Sequence, residues 1–429
     1  MGPADRHHHG LSLGGLACRR RASLHSALVN VRVLVAALAS ALVSAFAAAT
    51  TAAEPGDLQT TLGQALRAQG IDPRSTAAIA LDLRTGKTVF ASNARRSLLP
   101  ASAEKLPVSF AALRVLGPRF RFRTEVLGTG QRTGDTWSGN LWLVGYGDPT
   151  LTRADLERLA RRFAATGVRR VAGRVLGDDS HFDARRDALG WKAHYVGIES
   201  RPLSALSVAG VPLTGVNGSA IAAARYYRRA LEGRGITVTG SAGTGRAPDD
   251  ALAITFDLSQ TLANVLRQVN GESDNFAAEL LLKELGATVA PRGTTAAGAR
   301  VVRSALADAG VPLAGVRIAD GSGLSRFDRL TVRALAEILR SAASDPRIRD
   351  AFVTSLAVAG ISGTLEKRLD TRPTRGRVLA KTGTTLRASA LAGFVRRRYV
   401  FAILQNGRPV PYWTARAAQD RFVIALARS

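Results

Sequence analysis

Cysteine, methionine, histidine and lysine are all scarce in this chain. It holds one cysteine (Cys18), one methionine, six histidines and six lysines, against 59 basic residues in total. A single cysteine excludes a disulfide framework and any zinc site built on paired thiolates. Only His181 and His194 lie beyond residue 53, and their separation suits no common metal motif, so neither a metal nor a cofactor is expected. Both are read as surface or hydrogen-bonding groups. A G-x-S-x-G elbow and a glycine-rich phosphate loop are also missing. Should this chain hydrolyse anything, its general base is not expected to be histidine.

Arginine is abundant instead. The 429 residues carry a formal net charge of +26. Without residues 1–53, which hold five arginines and one aspartate, 54 basic and 32 acidic residues still leave +22. Such a charge favours polyanionic surroundings, an anionic membrane face or an acidic cell wall among them; the other reading is arginine replacing lysine on a solvated surface. No nucleic-acid partner is expected, because no RNA-binding signature, zinc-finger spacing or aromatic–basic interleaving occurs. Near the N-terminus Arg19–Arg21 and Arg32 precede VLVAALASALVSAFAAATTAA, an uncharged stretch rich in small residues. It reads as an export signal cleaved after Ala47 or Ala53, the alternative being an uncleaved membrane anchor. The remainder is then periplasmic, or extracellular and wall-associated. Cys18 lies upstream of the apolar stretch and is not read as a lipidation site.

Texture changes along the chain divide it. TAAIALDLRTGKTVFASN reads as two strands around a turn at Arg84–Lys87, followed by an apolar helix from Ser102 to Leu116. Pro107 interrupts that helix and predicts a distorted first turn. Short strand-like runs such as GNLWLVGYG and VAGRVLG, with helices over Arg153–Ala165 and Ala222–Glu232, follow as far as about Asp250. Then come helices over Gln260–Val269, Asp274–Leu285, Thr294–Asp308, Thr331–Ser344 and Arg347–Val358, three strands from GRVLAKTGTT to YVFAILQNG, and a last helix over Tyr412–Ala427. Strands at both ends around a helical middle predict one α/β (α+β) sheet closed by the two ends of the chain, with helices packed on it. The expected division is 1–53 leader, 54–118 first part of the main domain, 119–254 an inserted α+β domain, and 255–429 the second part. Trp137, Trp142, Trp191 and Tyr146 are read as the small core of the insertion.

The scarcity of lysine gives Lys105 its meaning. In Ser102-x-x-Lys105 the two side chains lie about one turn apart on one helix face. A serine hydroxyl is a poor nucleophile until a neighbouring base takes its proton. A desolvated lysine amine can be that base, whereas arginine stays protonated at any working pH. Two more short motifs follow in order: Ser273-Asp274-Asn275 at the start of a helix, and Lys381-Thr382-Gly383-Thr384 at the end of a strand.

The ordered triple S-x-x-K, S-D-N, K-T-G resembles the signature of penicillin-binding proteins and serine β-lactamases. LLPASAEKL, GNLWLVGYGDPTL, SDNFAAELLL, DGSGLSR and AKTGTT followed by SALAGF narrow the likeness. They resemble the D-alanyl-D-alanine carboxypeptidase/endopeptidase family of low-molecular-mass penicillin-binding proteins (peptidase family S13, the DacB type). The resemblance implies a penicillin-binding-protein/serine β-lactamase-like sheet with helices on both faces, peptidoglycan stem peptides as substrate and β-lactams as covalent inhibitors. It implies Ser102 as nucleophile and Lys105 as its base, with Ser273 relaying a proton and Asn275 holding Lys105 and the substrate amide. Lys381 would supply a positive field that attracts the terminal carboxylate. Thr382 and Thr384 would bind that carboxylate, Gly383 would let the strand approach, and Asp274 is grouped with the substrate-binding residues. The insertion is short for the family, so one inserted domain is expected. Asp320–Arg326 is read as a tight structural turn near the site. A β-lactamase and a catalytically silent wall-binding protein are the alternative readings.

Overall fold

The computed structural model describes residues 55–213 and 215–429. The expected leader, with Cys18 and the run His7–His9, lies outside the described residues. Apolar alternation around Arg84–Lys87 produces the expected hairpin: Thr76–Asp82 pairs antiparallel with Thr88–Ser92. On its other side Thr76–Asp82 pairs with Tyr399–Asn406, so the two ends of the chain do close one sheet. Its six strands run in the order Ala357–Val358, Val378–Thr385, Ala388–Val395, Tyr399–Asn406, Thr76–Asp82, Thr88–Ser92.

Because successive strand residues point to opposite faces, alternate residues feed two separate cores. Ala77, Ile79 and Leu81 face the larger core together with helices Lys105–Val115, Asn275–Ala287 and Val332–Ser344. Ala78 and Ala80 face the other, where Leu62 of helix Pro55–Ala65 and Phe422 of helix Tyr412–Arg428 pack. Every residue of Ala388–Val395 is buried, as expected of a strand covered on both sides.

Strands between residues 123 and 258 build two further sheets, one of five strands and one of four. Around them lies a core of their own, containing Leu143, Phe163 and Tyr227. Helix Arg153–Ala164 starts where it does because Thr152 and Asp155 form a reciprocal capping box. Phe182 and Leu203 of this segment pack on Phe276 and Leu280 of helix Asn275–Ala287. An ion pair from Lys283 to Asp183 and a 2.8 Å contact between His181 Nε2 and Glu284 Oε2 add to the joint. Residues 55–429 accordingly form one compact unit.

Two local expectations need correction. Arg347–Val358 is not a single helix: Arg349–Val353 is helical, and Ala357–Val358 is an edge strand paired with Leu379 and Ala380. Helix Pro55–Ala65 was not anticipated at all. Among the described residues no helix is long and apolar enough to cross a membrane.

Candidate active site

Ser102 sits in a 3₁₀ turn, Ala101–Glu104, that runs directly into helix Lys105–Val115. This is the distorted first turn that Pro107 demands. As the third helical residue, Pro107 lies where an amide has no partner within an α-helix, so its ring removes little. Ala101 has φ +47°, and Ser273, at the start of the second motif, has φ +65°. Left-handed backbone in residues other than glycine costs of order 1–3 kcal/mol and persists only where the surroundings impose it. Gly323 packs directly on this turn, since a Cβ there would lie 1.9 Å from the Ala101 carbonyl oxygen.

Lys105 is fully buried, and its ammonium is held on three sides. Its Nζ lies 3.1 Å from Ser102 Oγ, 2.8 Å from Asn275 Oδ1 and 2.6 Å from the Ser322 carbonyl oxygen. Burial pulls its pKa down to about 8; the carboxylates of Asp320 and Glu279 offset part of that fall. Ser322 belongs to DGSGLSR, which is the expected tight turn. Glu279 Oε1 accepts from the amides of Gly321 and Ser322, while Asp320 accepts from those of Gly323 and Ser325. Trp191 of the inserted segment donates to Asp320 Oδ2 at 2.8 Å, so it braces this turn rather than filling the insertion's core. Trp137 and Trp142 are buried as expected, and Tyr146 packs beside Trp142.

The third motif lies on strand Val378–Thr385. A Cβ on Gly383 would come within 2.9 Å of the Ser102 amide nitrogen, so only glycine lets the strand run this close to Ser102. Thr382 Oγ1 donates to Thr364 Oγ1 at 2.8 Å. Lys381 is fully buried, and its Nζ donates to the Thr382 carbonyl oxygen at 2.8 Å. Burial first, and the neighbouring Lys105 second, push its pKa well below the usual lysine value. Its position places this side chain behind the cavity wall, on the strand that carries Thr382 and Thr384.

One oxygen of Asp274 caps helix Asn275–Ala287 by accepting from the Ala277 amide at 2.9 Å, and the other accepts from Gln268 at 2.6 Å. Both oxygens bond within the protein, and Asp274 is not among the residues lining the cavity around Ser102. Ser102, Ser273, Asn275, Thr382 and Thr384 line one cavity of about 310 Å³. No motif along the chain pointed to its other walls. Glu199 comes from the insertion, where its carbonyl accepts from Asn275 Nδ2 at 2.9 Å. Thr364, Arg368 and Arg416 come from loop and helix segments without a motif. A second cavity, of about 430 Å³, shares Leu324 with the first and is walled by Trp191, Arg326 and Leu386.

A serine whose oxygen meets a buried lysine, beneath a strand that admits only glycine, is an arrangement for attack on a carbonyl. The fold that carries it is that of the penicillin-binding proteins. Penicillin-binding protein 4 (DacB) of Haemophilus influenzae superposes with a TM-score of 0.75 at 23% identity, covering 86% of this chain and 98% of that one. A penicillin G-acylated predatory endopeptidase of Bdellovibrio bacteriovorus superposes with a TM-score of 0.50 at 16% identity, over 82% and 88% of the two chains. The chain belongs to the D-Ala-D-Ala carboxypeptidase 3 (S13) family of serine peptidases, whose model matches residues 58–211 and 208–428. A D-alanyl-D-alanine carboxypeptidase from Actinomadura sp. (strain R39) is 31% identical over 459 aligned positions, spanning 86% of this chain and 84% of that protein.

Proposed function

We propose that this enzyme is exported by residues 1–53 and cleaves the terminal D-alanyl-D-alanine bond of peptidoglycan stem peptides, and D,D-cross-links of the same chemistry, through an acyl-enzyme on Ser102. The observation that carries the reading is the 3.1 Å contact between Ser102 Oγ and a buried Lys105 amine. An amine brought down to about pH 8 can take the hydroxyl proton as the Ser102–carbonyl bond forms. The developing oxyanion lies between the amides of Ser102 and Thr384, each donor worth roughly 3 kcal/mol. As the carbon–nitrogen bond breaks, Ser273 gives its hydroxyl proton to the departing D-alanine amine and takes the one held by Lys105, which leaves that amine neutral again. Asn275 keeps Lys105 aimed and holds the substrate amide, while Lys381 stiffens the strand behind Thr382. Thr382 and Thr384 take the substrate's terminal carboxylate. Water then attacks the ester, Lys105 again accepting the proton, and Ser102 is regenerated.

β-Lactams acylate the same serine, as penicillin G does the Bdellovibrio endopeptidase. The high arginine content suits work beside an anionic wall. The test is intact mass of protein lacking residues 1–53 after exposure to benzylpenicillin, beside Ser102→Ala. One lasting adduct on the native protein and none on the variant is the expected result. An adduct lost within seconds points to a β-lactamase instead. No adduct under any condition overturns the catalytic reading in favour of wall binding.

A further inference from the structure

The substrate proposed above is anionic, and neither motif lysine is among the residues that line the cavity around Ser102. Lys105 and Lys381 are fully buried, and Lys381 Nζ donates to the Thr382 carbonyl. Two guanidinium groups do line the cavity, those of Arg368 and Arg416. Arg368 is 6% exposed and already engaged. Its Nε donates to Asp420 Oδ1 at 2.7 Å, and its Nη2 donates to Gln419 Oε1 at 2.8 Å and to the Arg416 carbonyl at 3.3 Å. Its charge is matched by Asp420, and its bonds fasten the first half of helix Tyr412–Arg428 to the wall of the site.

Arg416 is different. It is half-buried, and it makes no ion-pair contact of the kind that joins Arg368 to Asp420, although the Asp420 carboxylate feels its charge. Its Nη1 donates to the Tyr412 hydroxyl, and the guanidinium carbon sits 4.9 Å from the Tyr412 ring centre and 5.8 Å from that of Trp413. Such a planar group, weakly hydrated and backed by aromatic rings, is suited to a two-point grip on a carboxylate. Thr364 and Arg368 belong to one short segment, and Thr364 accepts from Thr382, so this wall joins the threonines of the third motif.

We infer that Arg416 is the specificity residue for the carboxylate on the leaving-group side of the scissile bond, with Arg368 as the positioning residue that sets its helix. The inference rests on the acyl-transfer reading above. The chemical class recognised is an α-carboxylate attached next to the departing amine. It is present on a terminal D-alanine and on the D-centre of a cross-link alike, so one anchor serves both cleavages.

The test compares acylation by benzylpenicillin, which carries one carboxylate beside its ring nitrogen, with acylation by its methyl ester. Intact mass follows both, on wild type, Arg416→Gln and Arg416→Lys. Losing one charge-assisted contact should lower the second-order rate for benzylpenicillin roughly 10- to 100-fold in Arg416→Gln. The rate with the ester should change less than about threefold, because that ligand lacks the charge to be recognised. Arg416→Lys should recover part of the difference. Equal losses with both compounds, or none with either, overturn the inference while leaving the function reading intact. A wild-type chain that neither compound modifies overturns the function reading, and this inference with it.

Discussion

The acylation rate of Ser102 should follow the deprotonation of Lys105. Burial is the main cause of its low pKa, and the opposing pull of Asp320 and Glu279 leaves it at about 8. From that value about one molecule in eleven holds a neutral amine at pH 7, against about one in three thousand for an ordinary lysine. The pocket therefore supplies roughly 300 times more base at neutral pH than a solvated side chain does. If that amine takes the serine proton, the second-order rate for benzylpenicillin should rise about tenfold from pH 6 to 7 and about fivefold from 7 to 8, then less than twofold from 8 to 9. Rapid-quench intact mass at constant ionic strength gives the profile. Lys105→Arg keeps the charge but cannot release a proton, and should lose at least about 100-fold at every pH. A flat profile between pH 6 and 9, a break below pH 7, or an Arg variant that acylates at the native rate would each refute Lys105 as the base.

Three further outcomes are expected. Gly383→Ala pushes a methyl group to 2.9 Å from the Ser102 amide, so acylation should fall about 100-fold or more while circular dichroism stays native. Trp191→Phe removes the donor to buried Asp320 and should cost about 1–3 kcal/mol in urea unfolding. Glu279 is fully buried, and desolvation together with the Asp320 charge raises its pKa to about 8. A folded pKa above the unfolded one means stability that is complete below about pH 4.5 and is lost as pH rises toward 8, by up to about 1.4 kcal/mol per pH unit. Lys105 is depressed instead, so its contribution rises with pH between about 8 and 10.5. Burial raises the pKa values of Glu104, Asp148 and Asp328 as well, so urea titrations should show stability falling as pH rises above about 5, and Glu279→Gln should remove part of that fall. A profile unchanged by that substitution would show that Glu279 does not titrate in this window.

Much of the fold was legible because it rests on local periodicity. The hairpin around Arg84–Lys87, the helices from Arg153 to Ser344 and the last helix declared themselves through apolar spacing. Ala357–Val358 did not, since a two-residue edge strand carries no period of its own and exists only through its pairing with Leu379 and Ala380. Helix Pro55–Ala65 offered little local signal, and its place comes from Leu62 packing in the second core.

The sequence by itself determined the chemistry on offer. A chain that uses arginine nearly everywhere keeps lysine at 105 and 381, beside Ser102 and within strand Val378–Thr385, and that choice reads as function because only lysine can give up its proton near neutrality. Tertiary structure decided what those groups became. Burial and three contacts lower the pKa of Lys105 beside Ser102, and the hydrogen bonds at Asp274 make it a helix cap. Folding also brought Glu199, Thr364 and Arg416 to Ser102 from up to about three hundred residues away. No pattern along the chain could show this, because desolvation and charge pairing are set by distance in space and not by spacing in sequence.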